Sequence, residues 1–416
     1  MDILIVGGGI GGLTLALNLH ACKMPWRIRV CEAVPAFRPL GVGINLLPHA
    51  MREMTRLGLK EAIRRVAVEP QEFAYFTHHG QFILSEPCGL RAGYDVPHFS
   101  IHRGDLHAVL HDAFVERLGR DKLFLDHRCV GVAQSADRAT AHFVDHDGNG
   151  LPPHDADIVI ACDGIHSAIR KQFYPDEGLP VFHGINLWRG VTRAPPFLTG
   201  GSITRIGGLF TTNKLLFYPI RNDIDEHGNQ LINWSVEVVT DTHDAVDWHK
   251  SGRLEDFFPI FKDWRFDWLD AAGLLQSADF ILTYPMVDRD PIGQWTFGRV
   301  TLLGDAAHPM YPRGGNGGAQ AIIDATTITE LLRSGDDPVS ALKTYEARRI
   351  APTGRIVLEN RTAPPDLIID TVERLTGGKR FERLEDVISA DELKAISDNY
   401  KRVAGWDVAS VGRRSN

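Results

Sequence analysis

The sequence predicts an α/β fold: a doubly wound (Rossmann-type) dinucleotide-binding domain, interrupted by an inserted, mostly antiparallel β-sheet and followed by a helical C-terminal segment. Three observations carry the prediction. The chain opens as strand, glycine-rich turn, helix and strand within residues 2–32. Apolar strands of the same kind return at 157–161 and 300–303. Between them, residues 181–193, 203–220 and 230–240 are rich in β-branched and aromatic residues with Gly and Asn turns, unlike the pattern on either side.

Residues 2–6 are an apolar strand, and the apolar spacing over 10–22 is helical. Residues 27–32 alternate (Arg27, Ile28, Arg29, Val30) and complete a βαβ unit, the beginning of a parallel sheet. Helical spacing recurs over 49–66 and over 104–118, where Leu106, Val109, Leu110, Ala113 and Phe114 share one face. Residues 123–125 and 157–161 return to the sheet as strands, 317–333 and 336–362 are helical, and 381–416 is a polar helical stretch with a frayed end. A chain of 416 residues exceeds one ordinary domain. The pattern places the nucleotide-binding domain at 1–75, 100–180 and 285–365, the substrate domain at 76–99 and 181–284, and the C-terminal helical segment at 366–416.

Composition narrows the function. The formal charge of −8 comes from 45 basic and 53 acidic residues with no long block of either sign, which disfavours nucleic acid as a partner. Cys22, Cys31, Cys88, Cys129 and Cys162 are odd in number, with no CxxC pair or Cys/His cluster, as in a reducing compartment. No apolar run reaches the roughly 18 residues of a membrane span, and no basic leader precedes the first strand. The expectation is a cytoplasmic protein.

The turn after the first strand holds Gly7-x-Gly9-x-x-Gly12, with Gly8 and Gly11 inside it. Glycines at this spacing permit a tight turn, backbone approach to a pyrophosphate and close helix packing, and the helix N-terminus then faces the phosphates. Glu32 stands 20 residues after Gly12 at the end of the second strand, where a carboxylate accepts hydrogen bonds from ribose hydroxyls. The motif alone leaves open whether the dinucleotide is FAD or NAD(P).

Two further blocks follow strands. Asp163-Gly164 with Arg170 comes after 157–161, and Gly304-Asp305 after 300–303, so both aspartates sit at carboxyl ends of strands, where open α/β sheets bind ligands. Behind Asp305, the glycine-rich run 310–318 opens a helix whose free N–H groups and positive dipole end suit an anionic ring.

These three blocks, in this order and spacing along the whole chain, resemble the single-component (class A) FAD-dependent aromatic hydroxylases. The stretches 38–45, 100–104, 188–192, 284–291 and 310–312 resemble the phenazine-hydroxylase branch of that family (5-methylphenazine-1-carboxylate 1-monooxygenase-like). The resemblance implies FAD as cofactor, NADH or NADPH as co-substrate and O2 as oxidant, with oxygen delivered to an electron-rich ring through a flavin C4a-hydroperoxide. It implies that Glu32 holds the adenosine ribose, and that Arg38 and Arg103 hold the rest of FAD. Asp305 would meet the ribityl or pyrophosphate region, and the Asn316-Gly317 backbone the flavin O2/N1 edge. Gly43 and Gly304 come with the same motifs, while Asp163, Gly164 and Arg170 belong to a motif associated with both FAD and NAD(P)H. No second GxGxxG is present, in keeping with a family whose nicotinamide cofactor has no domain of its own.

Because the cofactor carries the chemistry, no triad or metal is required. The inserted sheet would cover the flavin and contribute the substrate pocket, for which Arg189, Tyr218, Trp234, Tyr311 and Pro312 are the candidates. Arg313 either favours an anionic substrate or faces solvent. Phenazines, hydroxybenzoates, aminohydroxybenzoates and hydroxypyridine carboxylates all suit such a pocket, and plain and decarboxylative hydroxylation stay open, as does oligomeric state. Plainer readings accompany these: Arg38, Arg103 and Arg170 as surface ion pairs, His308 as a packed structural residue, Cys162 as core. A disulfide reductase would need a redox cysteine pair, which Cys22 and Cys31 do not form; a flavin halogenase would show W-x-W, whereas Trp264 and Trp268 are four apart. An FAD-dependent oxidase or desaturase and a non-catalytic FAD-binding redox sensor remain as alternatives.

Overall fold

Residues Asp2–Val6, all buried, form an inner strand of a six-stranded sheet in the computed structural model, which describes residues 1–38, 41–240, 251–335, 337–362 and 364–412. The strand order is Thr296–Phe297, Val300–Leu302, Ile158–Ala161, Asp2–Val6, Arg27–Cys31, Leu123–Phe124, parallel throughout except for the first pair. Strands covered on both faces read as continuous apolar runs, which is why Ile3–Val6 and Ile158–Ala161 show no alternation. Helix Ile10–Ala21 packs between helices Arg103–Leu118 and Asn316–Arg333. Leu13, Leu17, Leu106, Phe114, Ile322 and Ile328 join the strands in one core. This is the doubly wound domain expected from sequence.

Three differences are local. The spacing over 49–66 is two helices, Pro48–Arg56 and Lys60–Arg64, because Gly58 adopts a left-handed φ of +72° between them. An antiparallel meander, Arg128–Gln134, Ala139–Val144 and Gly150–Ala156, joins the two parts of the parallel sheet. Its edge strand carries Pro152 and Pro153, a pair that reads against a strand in sequence and is tolerated because the edge needs no second partner. The helix expected at 336–362 runs Pro338–Thr362.

The inserted sheet has seven strands in the order Phe280–Asp288, Val181–Ala194, Gln230–Val239, Lys214–Arg221, Ser202–Ile206, Glu72–Phe76, Phe82–Pro87. Every pair is antiparallel except Ser202–Ile206 with Glu72–Phe76. Two expected boundaries therefore cut through strands of this sheet, since Glu72–Phe76 crosses 75/76 and Phe280–Asp288 crosses 284/285. Residues 203–220 divide into two strands at a turn where Gly207 and Asn213 take left-handed φ values of +78° and +66°. One face packs Trp188, Phe217 and Trp234 against Phe257 and Phe261. On the other, Val191, Tyr218 and Ile220 meet Ile368, Tyr400 and Trp406 of the C-terminal helices Leu367–Thr376 and Ala390–Val403 and the turn after them. The expected frayed end falls partly on residues 413–416, outside the described residues. Among those described, no helix is long and apolar enough to cross a membrane.

One buried carboxylate welds the last strand to the helices behind it. Asp324, fully buried, accepts the Gly304 N–H at 3.1 Å, His308 Nε2 at 2.6 Å and Arg349 Nε at 2.6 Å. Burial alone would raise its carboxyl, but interactions with His308 and Arg349 outweigh burial and hold it at about 2. The folded value lies below that of the unfolded chain, so this contribution is present above about pH 4 and is lost as pH falls toward 2. We expect urea unfolding to show a loss of about 2 kcal/mol from this group across that window. In Asp324→Asn that portion of the acid limb is missing; superimposable acid limbs would sink the assignment.

Candidate active site

The first turn is built by close approach. A Cβ on Gly7, whose φ is +107°, would lie 2.3 Å from Cys162 O, and one on Gly12 would lie 1.9 Å from Gly7 O. A Cβ on Gly9 would meet nothing within 4 Å, so this stretch of backbone is open to a ligand. A Cβ on Gly11 would lie 3.1 Å from the Leu303 side chain and 3.3 Å from Ala321 Cβ, so the bare glycine lets the helix pack closely there. No side chain caps helix Ile10–Ala21, and its first N–H groups point toward that opening. Glu32 accepts the Gly8 N–H at 2.7 Å and the Val34 N–H at 3.0 Å, fixing the turn, and its carboxylate keeps lone pairs for hydroxyl donors.

Asp163 follows Ile158–Ala161, and its Oδ2 accepts the Ala168 N–H at the start of the next short helix at 3.1 Å, beside the N-cap Ser167. Its Oδ1 is buried without a partner, and burial pushes the carboxyl up to about 6 against the opposing pull of Ser167 and the helix amides. Gly164 beside it has φ +79°. Arg170 is not a contact of the cleft. It is 2% exposed, with Nη1 donating to the carbonyls of Ala306 (3.0 Å) and Ala307 (2.8 Å) and Nε to Glu177 (2.9 Å). The expected cofactor contact and the surface ion pair both give way to a positioning role, in which Arg170 ties the Asp163 block to the Asp305 turn.

Asp305 is solvent-accessible yet ringed by protein, which raises its carboxyl while His308 and Arg103 draw it down. Gly304, with φ +63°, lets this turn lie against Ala321, 3.0 Å from a Cβ. A Cβ on Gly317 would sit 3.8 Å from Asp305 Oδ1, and one on Gly315 would sit 3.5 Å from Asn45 Cβ. The start of helix Asn316–Arg333, the Asp305 turn and strand Gly43–Leu46 therefore converge. Asn316 is fully buried, donates from Nδ2 to Tyr400 Oη at 2.8 Å, and leaves Oδ1 without a partner. The Arg103 side chain lies along Gly41, 3.4 Å from a Cβ there. Arg103 and Arg38 are both exposed, and Pro39 and Leu40 of the same motif lie outside the described residues. A cradle of bare glycine backbone and uncapped helix starts, with acidic groups at its ends, fits the pyrophosphate, ribose and ring of a dinucleotide.

The wall opposite comes from the inserted sheet. The Arg189 guanidinium donates to Gly43 O and lies 3.5 Å from Asn233 Oδ1, which accepts the Gly43 N–H at 2.7 Å. Tyr218, buried on the same face, has its hydroxyl pKa raised by burial and lowered by Arg189 beside it. Tyr311 is 1% exposed in a cluster with Ile185, Leu187, Leu209 and Met286, its hydroxyl without a partner. Pro312 next to it is exposed.

Trp234 is corrected as a pocket residue. It lies on the opposite face, donating to Thr192 Oγ1 at 3.1 Å and packing near Phe257. Arg313 is buried, with Nη1 donating to Asn360 O at 3.0 Å and Nε 3.5 Å from Glu237 Oε2, so it does not face solvent. Asn233 was missed, although strand alternation signals it: Ile232, Trp234 and Val236 form an apolar face, leaving Asn233, Ser235 and Glu237 for the other. His308 is the structural residue expected.

Residues 1–196 and 285–360 match the family model described as an FAD binding domain. The chain is 40% identical over 408 residues to the phenazine 1,6-dicarboxylic acid hydroxylase PhzS of Lysobacter antibioticus, covering 97% of each. It is 30% identical over 423 residues to a 3-hydroxybenzoate 6-hydroxylase of Polaromonas naphthalenivorans, covering 99% of this chain and 97% of that protein. In fold it is similar to a salicylate hydroxylase substrate complex (TM-score 0.74, 22% identity, 99% and 97% covered). It is similar likewise to Klebsiella pneumoniae HpxO complexed with FAD and uric acid (TM-score 0.72, 22% identity, 99% and 96% covered). The chain belongs to the FAD-binding family of flavoprotein aromatic hydroxylases.

Proposed function

We propose that this protein hydroxylates a small, carboxylate-bearing aromatic ring, using FAD, O2 and either NADH or NADPH. The observation that carries the substrate reading is Arg189. It stands on the sheet face turned toward the glycine cradle, half-buried, bonded to neutral acceptors, and among the described residues no carboxylate pairs with it. A partly desolvated guanidinium with spare donors is a seat for a carboxylate, which it grips in bidentate fashion. The likeness to a phenazine dicarboxylic acid hydroxylase makes carboxylated phenazines the first substrates to test.

Bound FAD would supply the redox and oxygen chemistry that no side chain can. The residues that would hold it are the 7–12 turn at the pyrophosphate, Glu32 at the ribose, Arg38 and Arg103 alongside, Asp305 at the ribityl chain, and the Asn316-Gly317 backbone at the ring. There the start of an 18-residue helix offers free N–H groups and a positive dipole end to developing negative charge. Asp163 and Gly164 stand at the neighbouring strand end. Arg189 orients the ring, Tyr218 stays protonated as a donor, and Leu187, Met286 and Tyr311 keep water from the reacting carbon.

Purified yellow protein should oxidise NADH or NADPH faster in the presence of a carboxylated phenazine or hydroxybenzoate, and under 18-O2 the product should gain one labelled oxygen. Unlabelled or merely dehydrogenated product would favour an oxidase or desaturase; no stimulated turnover at all would favour a redox sensor. Arg189→Met should keep bound FAD yet raise KM for the carboxylated ring about 10- to 100-fold, the loss of one charge-assisted contact. An unchanged KM in a yellow Arg189→Met protein would show that the carboxylate binds elsewhere.

A further inference from the structure

Behind the Gly314 turn lies a cavity of about 20 Å³, room for a single species of water or halide size. Its walls include Arg205, Lys401, Tyr400, Trp406 and the backbone of Gly314. The charged side chains lining it are both cationic. Arg205 is 8% exposed and lies between the rings of Phe73 and Tyr75, each 5.5 Å from its guanidinium. Lys401 sits 5.8 Å from the Trp406 ring.

The neighbouring carboxylates leave donors of these cations without a hydrogen-bond partner. Lys214, Arg205 and Arg313 share two acids: Asp366 is 2.5 Å from Lys214 Nζ and 3.2 Å from Arg205 Nη1, and Glu237 is 2.7 Å from Lys214 Nζ and 3.5 Å from Arg313 Nε. Asp370 nearby is engaged by the Phe210 N–H and the Thr211 hydroxyl. The Asp366 oxygen misses hydrogen-bond geometry to Arg205, and Nε and Nη1 of that guanidinium are buried with no acceptor. Glu86 takes one proton of Lys401 at 2.7 Å and the Ser397 hydroxyl at 2.6 Å. Tyr400 directs its hydroxyl to Asn360 Oδ1 at 2.7 Å. The donors left without a partner among the residues lining the cavity are Nε and Nη1 of the Arg205 guanidinium and the Trp406 indole N–H, beside the Lys401 ammonium, and buried donors left unpaired are costly.

We infer that this cavity binds a small monovalent anion of chloride size on Arg205 and Lys401. The ion supplies the missing acceptor and fixes the Gly314 turn from behind, where Tyr400 already bonds Asn316. Asn316 opens the helix that faces the cradle, so an anion here stiffens that helix start without touching the cofactor.

The test uses the intact flavoprotein and chloride as the probe. Chloride-35 NMR should show a saturable excess line width, and thermal unfolding should occur at higher temperature in sodium chloride than in sodium gluconate of equal ionic strength, because an ion bound to the folded state stabilises it. Lys401→Gln, at a partly exposed site, should weaken apparent chloride affinity about tenfold or more while the protein stays folded and yellow. Arg205→Gln should abolish the effect if it folds. Absence of excess broadening, or broadening equal in wild type and Lys401→Gln, overturns the proposal and leaves the cavity to water. Bromide located at Arg205 in soaked crystals without the solution effects would mean an adventitious ion only, and also overturns it.

Discussion

The Asp324 carboxylate sets the position of nearly everything that surrounds the cradle's third side. It receives the Gly304 N–H, so the turn that presents Asp305 is fixed at its first residue. It belongs to the helix whose start approaches Asp305, and it binds Arg349 of the next helix, which in turn donates to Gln320 at 2.6 Å. A buried carboxylate in this setting is stable only because a guanidinium, an imidazole and an amide meet it at once. Arg170 acts as its counterpart from the other side, holding the carbonyls of Ala306 and Ala307. The turn bearing Asp305 is thus clamped by a buried anion on its amide end and a buried cation on its carbonyl end. That leaves the Asp305 side chain free to point into open space.

The inserted sheet solves a different problem, that of being core and binding surface at once. Side chains alternate across a strand, so the apolar set Trp188, Trp234, Ile232 and Phe217 occupies one face and is sealed by Phe257 and Phe261. The opposite face carries Arg189, Asn233 and Tyr218 toward strand Gly43–Leu46. Hydrogen bonds from Arg189 and to Asn233 reach both the N–H and the carbonyl of Gly43. The two domains are therefore registered against each other at a residue whose missing side chain leaves room, since a Cβ on Gly43 would fall 2.7 Å from Asn233 Cβ.

What was legible in the sequence follows from how local each constraint is. The 7–12 turn and Glu32 could be read directly, because a tight turn, a close backbone crossing and a carboxylate at a strand end each demand a residue type at a fixed spacing. The Asp163 and Asp305 blocks were legible as strand-end acids for the same reason. Arg170 was not, because its partners Glu177, Ala306 and Ala307 meet it only through tertiary packing. The meander at 128–156 was hidden by its prolines, and the break at Gly58 by helical spacing that continues across it. Glu72–Phe76 joins the inserted sheet through a parallel pairing with a strand 130 residues away (Glu72 with Ser202), which no local pattern announces. Trp234 was a misreading of aromatic content as pocket lining, and the alternation of its own strand argues the other way.

The arginines show why residue type alone does not assign a site. Arg170 and Arg349 are buried and turned to carboxylates and carbonyls of the protein, so they shape the cradle from behind. Arg313, on the loop where an anion receptor was one expectation, is turned to Glu237 and Asn360. Arg189 differs in having only neutral acceptors while standing at the sheet face nearest the glycine turn's side of the molecule. Desolvation strengthens each cation's demand for an anion, and the protein meets that demand internally for Arg170 and Arg349, while Arg313 keeps Nε and Nη2 without a hydrogen-bond partner. At Arg189, which meets only neutral acceptors, the unpaired charge is what supports the proposed seat for a substrate carboxylate.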